Sequence, residues 1–467
     1  MSASYDTIVI GAGMSGLAAG IRLAQYDQRV LVLDRHSLWG GLNSFYKQKG
    51  HRFDVGLHAL TNYVPKGTKG NRPLARILRQ LRIPHEALKL GEQRGSRVSF
   101  PGVSLRWTNQ FEVLRAEIAD KFPREIDGFD RLVRDIEPYP DLVESSAAPR
   151  MARTALREYI ADPLLVDMLL LPLLYYGSPT PNDVEWASFV ILFKSLYEEG
   201  FARPEGGVRT ILDLLRDRYK ELGGELKMNA GVARILHGAK GLEGVVLDDG
   251  TELRARTVLS SAGFVETLRM CADDVAATVT DADIGPLTFV EFLSVLDQTP
   301  AALGHDDTIV FFNTEERLVY ASPEGSAVDL RSGVICCPDN YAAAVPPKDA
   351  LFRLTLLANY AAWTGMDQDT YVAEKARVHD AALDVASTFA FDPRPHTTYV
   401  DGFTPRTIQK FTGHLGGAVY GTPRKQLSGR TPVEGLFLCG TDQGYLGIVG
   451  AMLSGIAMAN QHALQPA

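Results

Sequence analysis

TIVIGAGMSG, Thr7 to Gly16, opens as a short apolar run and closes on three glycines, Gly11, Gly13 and Gly16, in the spacing G-x-G-x-x-G. Leu17, Ile21 and Ala24 follow at helical spacing, and RVLVLD, Arg29 to Asp34, reads as a second strand. Asp34 stands 18 residues past Gly16, close to the about 20 expected of an acid that binds a ribose hydroxyl. The glycines divide the work: Gly11 allows a tight turn, Gly13 lets backbone approach a pyrophosphate, and Gly16 lets helix lie on strand. The helix N-terminus behind them, carrying Met14 and Ser15, favours phosphate charge. Glycines alone are a weak signal. Strand, turn, helix, strand and acid in this order predict a Rossmann-like dinucleotide-binding unit.

The rest of the composition sets bounds. At 467 residues, two domains are the expectation, and 45% hydrophobic with 22% charged residues is an ordinary globular balance. A net charge of -8 and a pI near 5.7 argue against nucleic acid as a partner. Cys271, Cys336, Cys337 and Cys439 show no C-x-x-C spacing and no pairing with histidines, so neither a metal site nor a disulfide framework is expected. MSASYDTIVI enters a strand with no basic segment before an apolar one, which reads as a chain without a secretory signal. The expected location is cytoplasmic, with a peripheral contact on the inner face of a membrane left open. No run reaches the roughly 18 apolar residues of a membrane span. MLLLPLLYY, Met168 to Tyr176, is the nearest, and reads either as a buried helix or as one that dips into a bilayer or lines a tunnel.

The stretch after Asp34 narrows the dinucleotide. RHSLWGGLNSFYKQKGHRFDVGLHAL, Arg35 to Leu60, carries Gly40 and Gly41 and then FDVG with Asp54 and Gly56. This resembles the flavin-containing amine oxidase and phytoene desaturase superfamily, in which GG-R-x-x-[ST] follows the first βαβ unit and FAD is the cofactor. The resemblance implies that Arg35, Gly40, Gly41, Leu42 and Asn43 border FAD. Leu42 departs from it, standing where the family's arginine approaches the pyrophosphate, while Ser44 is kept.

FARPEGG, Phe201 to Gly207, resembles the family's P-x-GG element. In the block that follows, the resemblance puts Val232 near the adenine and runs Ala262 and Gly263 past the cofactor. CGTDQGYLGIVGAMLSG, Cys439 to Gly455, looks like the C-terminal motif of phytoene desaturases, carotenoid isomerases and retinol saturases, and Phe403 to Gly421 resembles the segment before it. By that match Gly440 and Asp442 lie near the ribityl or pyrophosphate, and Gly450, Ala451 and Met452 near the isoalloxazine. A helix from about Gly450 would turn its N-terminus towards the flavin, where positive helix-end charge favours the anionic reduced ring.

The predicted architecture is α/β: a Rossmann-like FAD domain assembled from residues 1–71, 201–270 and 396–467, plus an α+β substrate domain of residues 72–200 and 271–395 with an antiparallel sheet and a helical insert. Helices are predicted over 73–82, 110–121, 155–174, 208–222 and 368–390, and strands over 286–296, 308–313, 351–360 and 435–440. Asp249-Gly250 between apolar runs predicts a hairpin.

Chemistry on a hydrocarbon needs an apolar cavity, a hydride path and a proton acceptor. The 164–176 segment, Trp186, Phe189, Phe193 and one face of the 286–296 strand are the expected walls. His58, two residues past FDVG, is the leading catalytic candidate because histidine exchanges protons near neutral pH. Glu291, on one strand face with Phe289 and Leu293, is the second, and His414 a third. The expected activity is FAD-dependent oxidoreduction of a long polyene or isoprenoid lipid. Desaturation, saturation and cis–trans isomerisation all use the scaffold the resemblance implies. An amine oxidase and a non-catalytic flavin carrier are the alternatives.

Overall fold

In the computed structural model, residues 4–56, 58–63, 65, 72–139, 150–345 and 348–464 are described. Two seven-stranded sheets organise them. Thr7 to Ile10 and Val30 to Leu33 are buried throughout, as continuous apolar strands of a parallel sheet must be. They form the centre of the first sheet, where Leu436–Leu438, Glu252–Ser260, Ser4–Ile10, Val30–Leu33 and Glu225–Lys227 lie side by side in parallel. An antiparallel pair, Val232–Gly238 and Gly241–Leu247, extends the same sheet through Glu252–Ser260, with the turn at Gly250 as expected.

The second sheet runs in the order Thr397–Phe403, Thr288–Leu296, Ala350–Ala358, Val328–Cys336, Ile309–Asn313, Ser96–Phe100, Val103–Trp107. It is antiparallel except between Ile309–Asn313 and Ser96–Phe100. Thr397–Phe403, grouped with the FAD domain from sequence, pairs with Thr288–Leu296 and so belongs to this sheet's edge. Ser96–Phe100 and Val103–Trp107 lie between the helices predicted over 73–82 and 110–121, where no strand is predicted. Their hairpin signal is the Pro101-Gly102 turn.

All nine residues of Thr288–Leu296 are buried, so this strand is covered on both faces. The helix Gln368–Ala386 packs on one side. The helices Phe111–Lys121, Ile126–Ile136, Pro163–Gly177 and Trp186–Phe193 build a core on the other. The single helix expected over 155–174 is two, Ala152–Leu156 and Pro163–Gly177. The break falls at Asp162-Pro163: the aspartate side chain accepts from Leu164 N at 2.8 Å, and proline fits the first helical turn. Leu165 to Tyr175 are buried, which excludes the membrane-dipping reading of this segment.

Candidate functional site

One cavity of about 1010 Å³ runs between the sheets. At one end lies the first glycine turn. Gly11 has φ +100°, and a Cβ there would stand 2.2 Å from Ser261 Oγ. A Cβ on Gly16 would stand 1.9 Å from Gly11 O, so Gly16 serves helix-on-strand packing and does not line the cavity. Gly13 faces the cleft: its nearest neighbour to an added Cβ is Gly40 O at 3.8 Å. Gly11, Gly13, Met14, Ser15, Gly40, Gly41, Leu42 and Asn43 all line the cavity.

Asp34 lines it too, accepting from Ala12 N at 2.7 Å and His36 N at 2.8 Å. Burial pushes its carboxyl up, and the two N–H donors pull the other way. Arg35 reaches across to Val232 O at 3.2 Å and pairs with Asp248, so Arg35 and Val232 share one wall.

At the C-terminal motif the placement differs from the expectation. The helix begins at Gly447, not Gly450. Leu446, Gly447, Ile448 and Ala451 line the cavity, whereas Gly450 is turned against Tyr445 and Met452 is buried in the core. Gly440 lines the cavity and so does Thr441, but Asp442 does not. The Asp442 carboxylate accepts instead from Phe264 N at 2.7 Å and Thr422 N at 2.9 Å, tying three segments together. Ala262 lines the cavity, while Gly263 caps the helix that follows it.

The other end of the cavity has a floor set by sheet register. Phe403 pairs with Glu291, Glu291 with Thr355, Thr355 with Val334 and Val334 with Phe311. Directly paired residues share a sheet face, and all five line the cavity. Phe289, Tyr176 and Tyr420 add aromatic walls. Trp186, Phe189 and Phe193, expected here, pack in the helical core instead.

His58 sits over this floor. Its Nε2 lies 3.0 Å from Thr355 Oγ1 and 3.8 Å from Glu291 Oε1. About 20% of its side chain is exposed, towards the cavity it lines. Burial, then the Arg353 and Arg203 guanidinium groups, hold its pKa well below the ordinary value, so the ring is neutral. Glu291 is paired with Arg353, whose Nε donates to Oε1 at 2.5 Å. Arg353 also donates to Val55 O at 2.7 Å. Burial raises Glu291 to about 7 against the opposing pull of Arg353. His414 lines the cavity beside Glu266, 3.6 Å away. Burial lowers His414, but the carboxylate outweighs it and holds it above its usual value. Sequence reasoning misses Arg353 and Thr355. Their signal is two polar residues spaced by two in LFRLTLLANY, an otherwise apolar strand.

A parallel sheet with a glycine-rich first turn, and two helix N-termini brought to one cavity, define a dinucleotide-binding architecture. Residues 14–461 match the family model described as flavin containing amine oxidoreductase, and the chain belongs to that family. It is 24% identical to a chloroplastic prolycopene isomerase of Arabidopsis thaliana, over 98% of this chain and 82% of that one. It is 25% identical to an all-trans-retinol 13,14-reductase of Danio rerio, over 96% and 84%. An oxidoreductase from Methanosarcina mazei shares the fold, with a TM-score of 0.65 and 17% identity over 97% of this chain and all of the other. The protein is thus a flavin-dependent oxidoreductase with FAD as its cofactor. The residues fit that group: an unobstructed Gly13, two helix N-termini and Asp34 lie along one continuous cavity.

Proposed function

We propose that this enzyme acts on carbon–carbon bonds of a long polyene or isoprenoid lipid. The observation that carries the reading is the registered floor, apolar at Phe403, Val334 and Phe311 and polar only at Glu291 and Thr355. Its relatives named above are an isomerase and a reductase of such molecules by name. Bound FAD supplies hydride exchange at its N5. The chain's own part is to seat an extended apolar substrate over the floor, to exclude water with Phe289, Tyr176 and Tyr420, and to manage a proton at His58 and Glu291. The first sheet and its helices hold the cofactor, with Gly11, Gly13, Gly40 and Gly41 at the pyrophosphate, Asp34 and Val232 at the adenosine, and Ala451 at the ring.

A cationic amine held by charge pairing would need a free carboxylate. Asp34, Glu266, Glu291 and Asp401 are the acids lining the cavity among the described residues, and each is engaged: with N–H donors, His414, Arg353 and the Tyr46 hydroxyl. A lipid substrate also requires delivery from a bilayer. No helix of the described residues is long and apolar enough to cross a membrane. We place a peripheral contact at the exposed cavity-lining residues Lys47, Lys410 and Phe411 rather than at the buried 164–176 helix. The test is extraction of pigments and lipids from cells expressing the protein beside a deletion strain. A shift in polyene or isoprenoid composition is expected. Unchanged lipids together with amine turnover would support the amine-oxidase reading.

A further inference from the structure

Glu291 and Thr355 are direct partners on neighbouring strands, and Arg353 lies two residues from Thr355 on the same face. Thr355 thus stands directly across from Glu291 on the cavity face, and its hydroxyl lies 3.0 Å from His58 Nε2. His58 and Glu291 stand 3.8 Å apart, too far for a direct hydrogen bond. A hydroxyl can donate and accept at once. We propose that Thr355 is the proton bridge that makes His58 and Glu291 one proton-sharing unit.

The step balances without a further reactant. The Glu291 carboxyl gives its proton to Thr355 Oγ1 as Thr355 gives its own to His58 Nε2. The O–H bond of the carboxyl breaks, the hydroxyl exchanges one O–H bond for another, and an N–H bond forms. Carboxylate and imidazolium result, and the reverse transfer restores the neutral pair. Arg353 holds Oε1 throughout and offsets the carboxylate charge. Among the described residues, Arg203, Asp54, Cys336, Tyr46 and Tyr341 also face the unit. Glu291, at about 7, changes state across neutral pH, whereas the isolated imidazole there stays neutral.

The residue roles rest on the proposed site, but the unit can be tested with no substrate. The holoprotein with 15N-labelled histidine is titrated by NMR across neutral pH, with His58→Asn assigning the His58 ring. Expected in the wild type is a His58 Nε2 step near the Glu291 transition, absent in Glu291→Gln. Thr355→Val, which keeps the shape and removes the hydroxyl, loses the step. Thr355→Ser, which keeps the hydroxyl, retains it. Flavin absorbance and melting report whether each variant folds. A step unchanged in a folded Thr355→Val protein overturns the bridge. So does its loss in folded Thr355→Ser, or its absence from the wild type. If the step behaves as expected while no polyene is turned over, the bridge stands and the lipid substrate falls.

Discussion

The helix Met14–Ala24 and the helix Gly447–Met458 lie against each other, and both bring their N-termini to the same cavity. The first follows a glycine motif in which hard contacts dictate Gly11 and Gly16, 2.2 Å and 1.9 Å from an added Cβ, while Gly13 is left open. The second follows a looser turn. A Cβ at Gly447 would meet nothing within 4 Å, and only the glycine content, not the register, marks where the helix starts. Their meeting point is tight again: a Cβ on Gly455 would stand 2.0 Å from Ser15 O. The turn proposed for the pyrophosphate and the helix proposed for the flavin end are therefore positioned as one body, although more than four hundred residues separate them in sequence. Backbone approach, not side-chain chemistry, joins the two ends of the proposed cofactor site.

Gly455→Leu attacks that shared contact and carries the largest expected effect on the fold. Overpacking a well-filled contact costs about 1–3 kcal/mol, occasionally more. Both helices must shift to admit the side chain, so FAD retention and melting temperature should fall together. A Gly455→Leu protein that holds FAD and melts like the wild type would separate the two ends. Gly13→Val attacks one end alone. The protein has room for a Cβ there, the nearest atom being 3.8 Å away, so the fold should survive while FAD affinity drops. Fluorescence titration of the apoprotein checks it, and unchanged affinity would remove the first turn from the site. His58→Ala touches neither helix. It should keep bound FAD and slow turnover by about 10²–10⁴-fold, the usual contribution of a positioned acid–base group. His58→Phe, which fills the space without a proton acceptor, should be as slow. Normal turnover in both would return His58 to a packing role.

The same contrast explains how far the sequence can be read. The first βαβ unit is legible because Gly11 and Gly16 answer backbone constraints that no other residue satisfies, and Gly13 keeps the turn open to the cavity. Asp249-Gly250 is legible for the same reason, as a turn. The helix at Gly447 is misplaced by three residues because glycines at Gly444, Gly447 and Gly450 are equivalent to a spacing rule but not to the chain, which puts Gly444 and Gly447 at positive φ and starts the helix at the latter. The motif places Asp442 at the cofactor, yet its carboxylate satisfies two buried N–H groups, a long-range demand no local pattern reveals.

The cavity floor is half visible in the sequence. Glu291 and Phe289 fall on one face by period two, but their partners Thr355, Val334 and Phe311 come from three other strands, and register between distant strands is written only in the fold. The aromatic residues Trp186, Phe189 and Phe193 show the opposite error. Their composition suits a substrate wall, and they are core. The strand pair Ser96–Phe100 and Val103–Trp107 is hidden between two predicted helices.

The central claim is that one flavin cavity, floored by Phe403, Glu291, Thr355, Val334 and Phe311, acts on a polyene. Its most direct measurement is anaerobic incubation of the FAD-loaded protein with a panel of cis and all-trans polyenes and, separately, primary amines, following flavin absorbance and separating products by chromatography. The expected result is a polyene product changed in bond order or geometry, formed by the wild type and slowed in His58→Ala, with amines unaltered. Flavin bleaching by an amine with every polyene recovered unchanged would contradict it.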